Sequence, residues 1–251
     1  MSERLEALRS SIEHLRSLAA LLDPADYARP AYPREWTIAD TFSHIGSGAV
    51  IAERTVDDTV AGNDRDPAFN QSVWDEWNAK APDAQVADAL VADAALLERL
   101  DSTTESQRAE FRFSLGPFDL DFEGFLGLRL SEHVLHTWDV EVVLDPTATL
   151  ASDAANLIID GLHRVVRFAG KATGEQRTLT VRTLDPVRDL ALIFEPESIT
   201  LVDAAHEGAV DLEVPAETFA RLIYGRLDAE HTPSAVDDEE LDELRRAFPG
   251  F

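Results

Sequence analysis

The sequence predicts an α+β protein in two parts, a helical bundle followed by a smaller α+β domain. Three observations carry that expectation. Apolar residues recur every three to four positions through most of residues 1–150, the period of helices with one buried face. After Asp145-Pro146 the pattern shifts to short apolar stretches, one of which alternates with period two as strands do. The chain, at 251 residues and 45% hydrophobic content, is long enough to bury a sizeable core in one large domain or two modest ones.

Taken in order, Leu5, Leu8, Ile12, Leu15, Leu18 and Leu22 step by three and four and predict an amphipathic helix ending before Asp23-Pro24. Thr37-x-x-Asp40 has the form of a capping box with Asp in place of the usual Glu, and opens a second helix. That helix is expected to run through His44 and Ile51 to about Thr59, before Ala61-Gly62-Asn63-Asp64. The segment from Asp64 to Pro82, with Phe69, Trp74 and Trp77, is expected to be irregular. A third helix covers about Asp83 to Leu100, with Val86, Leu90, Ala94 and Leu97 on one face. A polar stretch and Gly116-Pro117 lead to a fourth, about Phe122 to Val143, carrying Leu126, Leu130, Val134 and Trp138. Gly124-x-x-Gly127 within it reads as a site of close helix packing. Four such helices form a bundle, and bundle cores are where facing helices assemble metal sites.

A domain boundary is placed at 150, giving domains 1–150 and 151–251. The second opens with a helix over 152–170. Four short strands follow, at Thr178–Arg182, Leu190–Phe194, Ile199–Val202 and Ala209–Val214. A helix from Pro215 to Tyr224 ends at Gly225, a good helix-terminating residue, and a charged helix from Asp237 to Phe248 closes the chain.

Composition removes several functions. The net charge is −26 and the only lysines are Lys80 and Lys171, so nucleic acid and anionic membrane surfaces are poor partners. The acidic field reads as a solubility feature. No apolar run approaches the roughly 20 residues of a membrane span. Met1-Ser2-Glu3-Arg4 leads into an amphipathic helix with early acidic residues, unlike a signal peptide, so a cytoplasmic protein is expected. There is no cysteine. Disulfides, thiolate metal sites and a cysteine nucleophile are excluded, and any thiol chemistry must use sulfur on a small molecule.

The most informative stretch is Ser131-Glu132-His133-Val134-Leu135-His136-Thr137-Trp138-Asp139. Residues four apart on a helix share a face, so Glu132 and His136 are able to grip one ion. A histidine from a neighbouring helix would complete two imidazoles and one carboxylate, a catalytic zinc pattern with its fourth position open. His44 is available in Trp36–His44, with two readings: a ligand, or a core histidine satisfied by the backbone. Asp40, one turn earlier, either orients His44 or only caps the helix. His133 points about 100° away from Glu132 on the helical wheel and is read as a surface residue or a supporting neighbour of the ligands. Asp139 either accepts a hydrogen bond from an imidazole, fixing its tautomer, or is an ordinary exposed helix charge. His14, His163, His206 and His231 lack companions at metal-like spacing, and no Ser-His-Asp order or phosphate-binding glycine loop stands out.

Together these motifs acquire a family likeness. Trp36-Thr37-Ile38-Ala39-Asp40-Thr41-Phe42-Ser43-His44-Ile45 resembles the W-(T/S)-(V/I)-x-D-x-x-x-H-(L/I) signature of the mycothiol-dependent maleylpyruvate isomerase family, within the DinB/YfiT-like group of metal-binding four-helix bundles. Glu132-x-x-x-His136-x-x-Asp139 is similar to its second signature. Leu222-Ile223-Tyr224-Gly225-Arg226, and more loosely Leu244 to Phe251, look like its carboxy-terminal patterns. The resemblance implies a DinB-like bundle and a divalent metal, usually zinc, held by His44, Glu132 and His136. It also implies mycothiol, a small thiol of actinobacteria, as cosubstrate. In maleylpyruvate isomerisation a thiolate adds to the activated cis double bond, the new single bond rotates, and loss of the thiol leaves the trans isomer. Other members are expected to be thiol S-transferases that stop at addition to an electrophile. Arg226 either pairs with a carboxylate of substrate or thiol, or is a helix C-terminal charge. The partners expected are therefore a small-molecule thiol and an electrophile, and the protein a monomer or homodimer. Two rival readings are a non-catalytic metal-binding or regulatory protein on the same bundle, and a carrier of apolar ligands in the second domain.

Overall fold

The structure, a computed structural model, describes all residues except Met1, Arg34, 234–237 and Phe251, and only the backbone of 238–240. Met1, Asp237 and Phe251, which figure in the sequence expectations, thus lie outside the described residues. The chain divides into two compact units, Met1–Ala148 and Thr149–Phe251.

Among the described residues the first unit is helices and loops with one small hairpin and an isolated bridge, Pro30 to Thr37. Helices α1 (Glu3–Ala19), α2 (Ile38–Ala61), α4 (Pro82–Asp101) and α6 (Phe122–Leu144) are the four long ones, with α2 against α4 and α1 against α6. Their apolar faces meet in a core that includes Leu8, Leu15, Phe42, Ile45, Leu96, Leu126 and Leu130, all enclosed. The capping box at the start of α2 is present: Thr37 accepts from the Asp40 N–H, and the Asp40 carboxylate accepts from the Thr37 N–H at 2.9 Å. Asp40 therefore serves the cap.

Three local elements depart from the expected pattern. The segment expected to be irregular contains a helix, α3 (Phe69–Asn78), whose Val73 and Trp77 are buried. A single buried i,i+4 pair among Asn, Ser, Asp and Trp gives little periodicity to read. Trp77 lies where Gly46 leaves room, since a Cβ on Gly46 would stand 2.3 Å from the indole and 2.8 Å from the Ala89 backbone. The polar stretch before Gly116-Pro117 holds a short helix, α5 (Glu105–Glu110), and a hairpin of β1 (Phe113–Leu115) and β2 (Phe118–Leu120) turning on Gly116 and Pro117.

In the second unit the expected helix over 152–170 is two, α7 (Ser152–Ile159) and α8 (Leu162–Ala169), separated at Asp160-Gly161. Four strands follow: β3 (Arg177–Leu184), β4 (Arg188–Glu195), β5 (Ser198–Asp203) and β6 (Leu212–Pro215). They form a sheet of order β5-β4-β3-β6, antiparallel except for the parallel β3–β6 pair. Helix α9 (Ala216–Ile223) packs on α7 and α8 and is followed by Gly225 at φ 72°. Helix α10 (Asp238–Ala247) is last. Val181, Leu192, Val214 and Phe219 are among the residues of this unit's core. The molecule is thus an α+β protein with a helical first part and a sheet-bearing second part. Among the described residues no helix is long and apolar enough to cross a membrane.

Candidate metal centre

Two helices of the first unit bring the predicted ligands together. His44 lies two turns into α2, and Glu132 and His136 lie one turn apart on α6. Suitable donor atoms of the three all fall within 4.8 Å of one another, the one such group among the described residues. The Glu132 Oε2 atom is 3.4 Å from His44 Nε2 and 3.6 Å from His136 Nε2. Donors each about 2.1 Å from a common ion at the tetrahedral angle stand about 3.4 Å apart, so the separations suit a single zinc-sized ion. The donor set of two borderline nitrogens and one hard oxygen suits the same ion.

Each candidate ligand has a different degree of cover. The His136 side chain is 11% exposed, His44 38% and Glu132 50%, so the cluster sits at the edge of the core with the carboxylate toward solvent. Partial burial pushes the Glu132 carboxyl up, but the neighbouring His136 and His44 imidazoles outweigh it and hold the group below the usual carboxylate range. Burial lowers the His44 imidazole from its ordinary value, against the pull of Glu132. A neutral imidazole beside an ionised carboxylate is the state a cation requires of its ligands.

The orientation of His136 has a visible cause. Its Nδ1 is 2.8 Å from Oδ2 of Asp139, a carboxylate with no exposed surface. A carboxylate only accepts, so in the neutral ring Nδ1 carries the proton and the Nε2 lone pair is turned toward Glu132. Of the two sequence readings of Asp139, the structure supports the orienting one.

Trp36 forms part of the wall. Its indole lies 5.5 Å from the His136 ring at 23° and 4.9 Å from the His44 ring, while the two imidazoles are 4.4 Å apart with their planes at 64°. The loop that delivers it is tied down by Ala31 N–H to the Trp36 carbonyl at 2.9 Å, and by Tyr32 N–H to the Asp139 carbonyl at 3.1 Å.

His133 is not a surface residue, and its hydrogen bonds go to none of the candidate ligands. It is fully buried, with Nε2 3.1 Å from Asp93 on α4 and Nδ1 2.8 Å from the Ser11 hydroxyl on α1. Burial pushes its pKa down and favours the neutral ring. The ionised partner it faces, Asp93, had no mark in the sequence beyond being an acid in an apolar helix. Arg226 lies in the second unit, buried, with Nη1 donating to the Tyr224 carbonyl at 2.9 Å.

A family model described as mycothiol maleylpyruvate isomerase N-terminal domain matches residues 8–141, which span all three candidate-ligand positions and more than half of the chain. The chain belongs to this family. Two solved structures share its fold: a mycothiol-dependent maleylpyruvate isomerase and a histidine-to-alanine mutant of a protein so described. Each is 18% identical, with a TM-score of 0.66 over 94% of this chain and 93% of the other. No curated protein sequence matches the chain.

Proposed function

We propose that this member of the family is a zinc-dependent enzyme that activates mycothiol for addition to an electrophile. It then acts either as a maleylpyruvate-type cis–trans isomerase or as a thiol S-transferase. The observation that carries the reading is the convergence of His44, Glu132 and His136 at separations suited to one ion, in a chain of this family.

When bound, a divalent ion would supply the charge that favours a thiolate over a thiol at neutral pH. The protein's own residues set the conditions for it. Glu132 and the two imidazoles provide three donors and leave a further position for a small molecule. Asp139 holds the His136 tautomer, and Trp36 restricts the rings of both histidines. The absence of cysteine agrees with a thiol borrowed from solution. Arg226 is assigned in the same proposal to a carboxylate of the substrate or thiol, which its planar fork would bind through two parallel hydrogen bonds. The proposed setting is the cytoplasm, where small thiols are kept reduced.

The test is metal analysis joined to a thiol assay. Protein purified without chelator is expected to hold about one zinc per chain, and His44→Ala and His136→Ala to lose it, because a three-ligand site cannot spare a donor. With mycothiol, the wild type is expected to turn over maleylpyruvate or to consume thiol against an electrophile panel. Absence of stoichiometric metal would overturn the proposal. Intact zinc without any turnover would instead favour the non-catalytic binding protein.

A further inference from the structure

Helix α6 presents two polar faces. Glu132 and His136 occupy one, and Arg129 and His133, also one turn apart, occupy another that the proposed chemistry does not use. This second face is enclosed: the side chains of Asp93 and His133 have no exposed surface, and Arg129 is 7% exposed. Arg129 Nη2 donates to Asp93 at 2.8 Å and also to the backbone carbonyl of Ile45 at 3.0 Å. The other oxygen of Asp93 accepts from His133 Nε2 at 3.1 Å, and the opposite nitrogen of that ring meets the Ser11 hydroxyl at 2.8 Å. One node therefore joins α1, α2, α4 and α6.

Such a node is a costly way to hold a bundle together, because well-packed apolar residues do as well or better than a buried ion pair. Its placement suggests what it does. Ile45 directly follows His44, and Arg129 lies one turn before Glu132 and His133 on α6. The Arg129 side chain thus reaches from α6, one turn before Glu132, to the Ile45 carbonyl beside His44 on α2. Helix α2 is also shaped to receive it, since a Cβ on Gly48 would stand 2.8 Å from Arg129 Nη1.

We propose that Arg129, held by Asp93, is a positioning residue that sets the spacing of α2 and α6 and so the separation of His44 from Glu132 and His136. The inference rests on the metal-site reading above. Ligand constellations tolerate displacements of about 0.5 Å, so a small shift of the guanidinium is enough to degrade the site.

Gly48→Ala tests this with one methyl group and no change of charge, since the added Cβ must displace the guanidinium. Zinc affinity, read by competition with a chromophoric chelator, is expected to fall about tenfold, the lower end of what supporting residues contribute. The absorption bands of the cobalt(II)-loaded protein are expected to shift. The melting temperature in excess chelator should stay close to that of the wild type, because alanine is the better helix former. Asp93→Asn is expected to weaken zinc more strongly, and Gly48→Ala decides the matter if that variant does not fold. Zinc affinity within twofold of wild type together with an unaltered cobalt spectrum would overturn the brace while leaving the metal site standing. A wild type that binds no zinc, or a His44→Ala variant that binds it equally well, would remove the metal-site reading and the brace together.

Discussion

Two hydrogen bonds of Asp139 serve one site. Its carboxylate orients His136, and its backbone carbonyl receives the Tyr32 N–H from the loop that carries Trp36. Replacing it separates shape from charge. Asp139→Asn keeps an acceptor of similar size but loses the negative charge, and zinc affinity is expected to drop about tenfold. Asp139→Ala removes the acceptor as well, and the loss should approach about a hundredfold. Competition titration reads both, and affinities equal to wild type would show that His136 needs no orienting partner. At this scale the sequence was partly legible. Glu132 and His136 announce themselves because i,i+4 spacing is a covalent consequence of the helix. Asp139 kept two readings and the partners of His133 were not legible, because the role of each depends on what packs against it.

Among the elements, α2 shows how a local signal secures a functional side chain. The capping box satisfies backbone groups at the helix start, two turns before His44. Thr37→Ala is expected to cost about 1 kcal/mol, the usual value of a lost N-cap, read as a lower denaturant midpoint with an unchanged slope. No change would mean that tertiary packing alone holds the first turn. The cap, the periodic faces of the four long helices and the alternating strands were readable because each is a pattern within one segment. Helix α3 was not, since its order comes from Val73 and Trp77 meeting other parts of the unit. The separation of α7 from α8 at Gly161 was missed for a related reason: the apolar spacing continues across the break.

Across the whole molecule, charge is the dominant feature, with 48 acidic side chains against 22 lysines and arginines. Several acids are committed to arginines, as Asp101 is to Arg9 and Asp189 to Arg182, but the excess repels itself. Raising the salt concentration from about 10 mM to about 0.5 M shortens the screening length severalfold and is expected to raise the melting temperature. A melting temperature that falls with sodium chloride would mean that the ion pairs outweigh the repulsion.

The sequence by itself determined the helical first part and the strand-bearing second, the Glu132–His136 pair, and the need for an external thiol if thiol chemistry occurs. These follow from residue types and from spacing along one chain, which covalent geometry converts directly into helix faces and strand faces. Only the tertiary structure decided what His133 does. His133 and His136 sit three residues apart on one helix, yet one is turned to Asp93 and the other to Glu132 and His44. Helix geometry separates their directions, but which direction meets a buried carboxylate depends on α4 supplying Asp93 and α2 supplying His44. Those neighbours are remote in sequence, and only the folded chain brings them to α6.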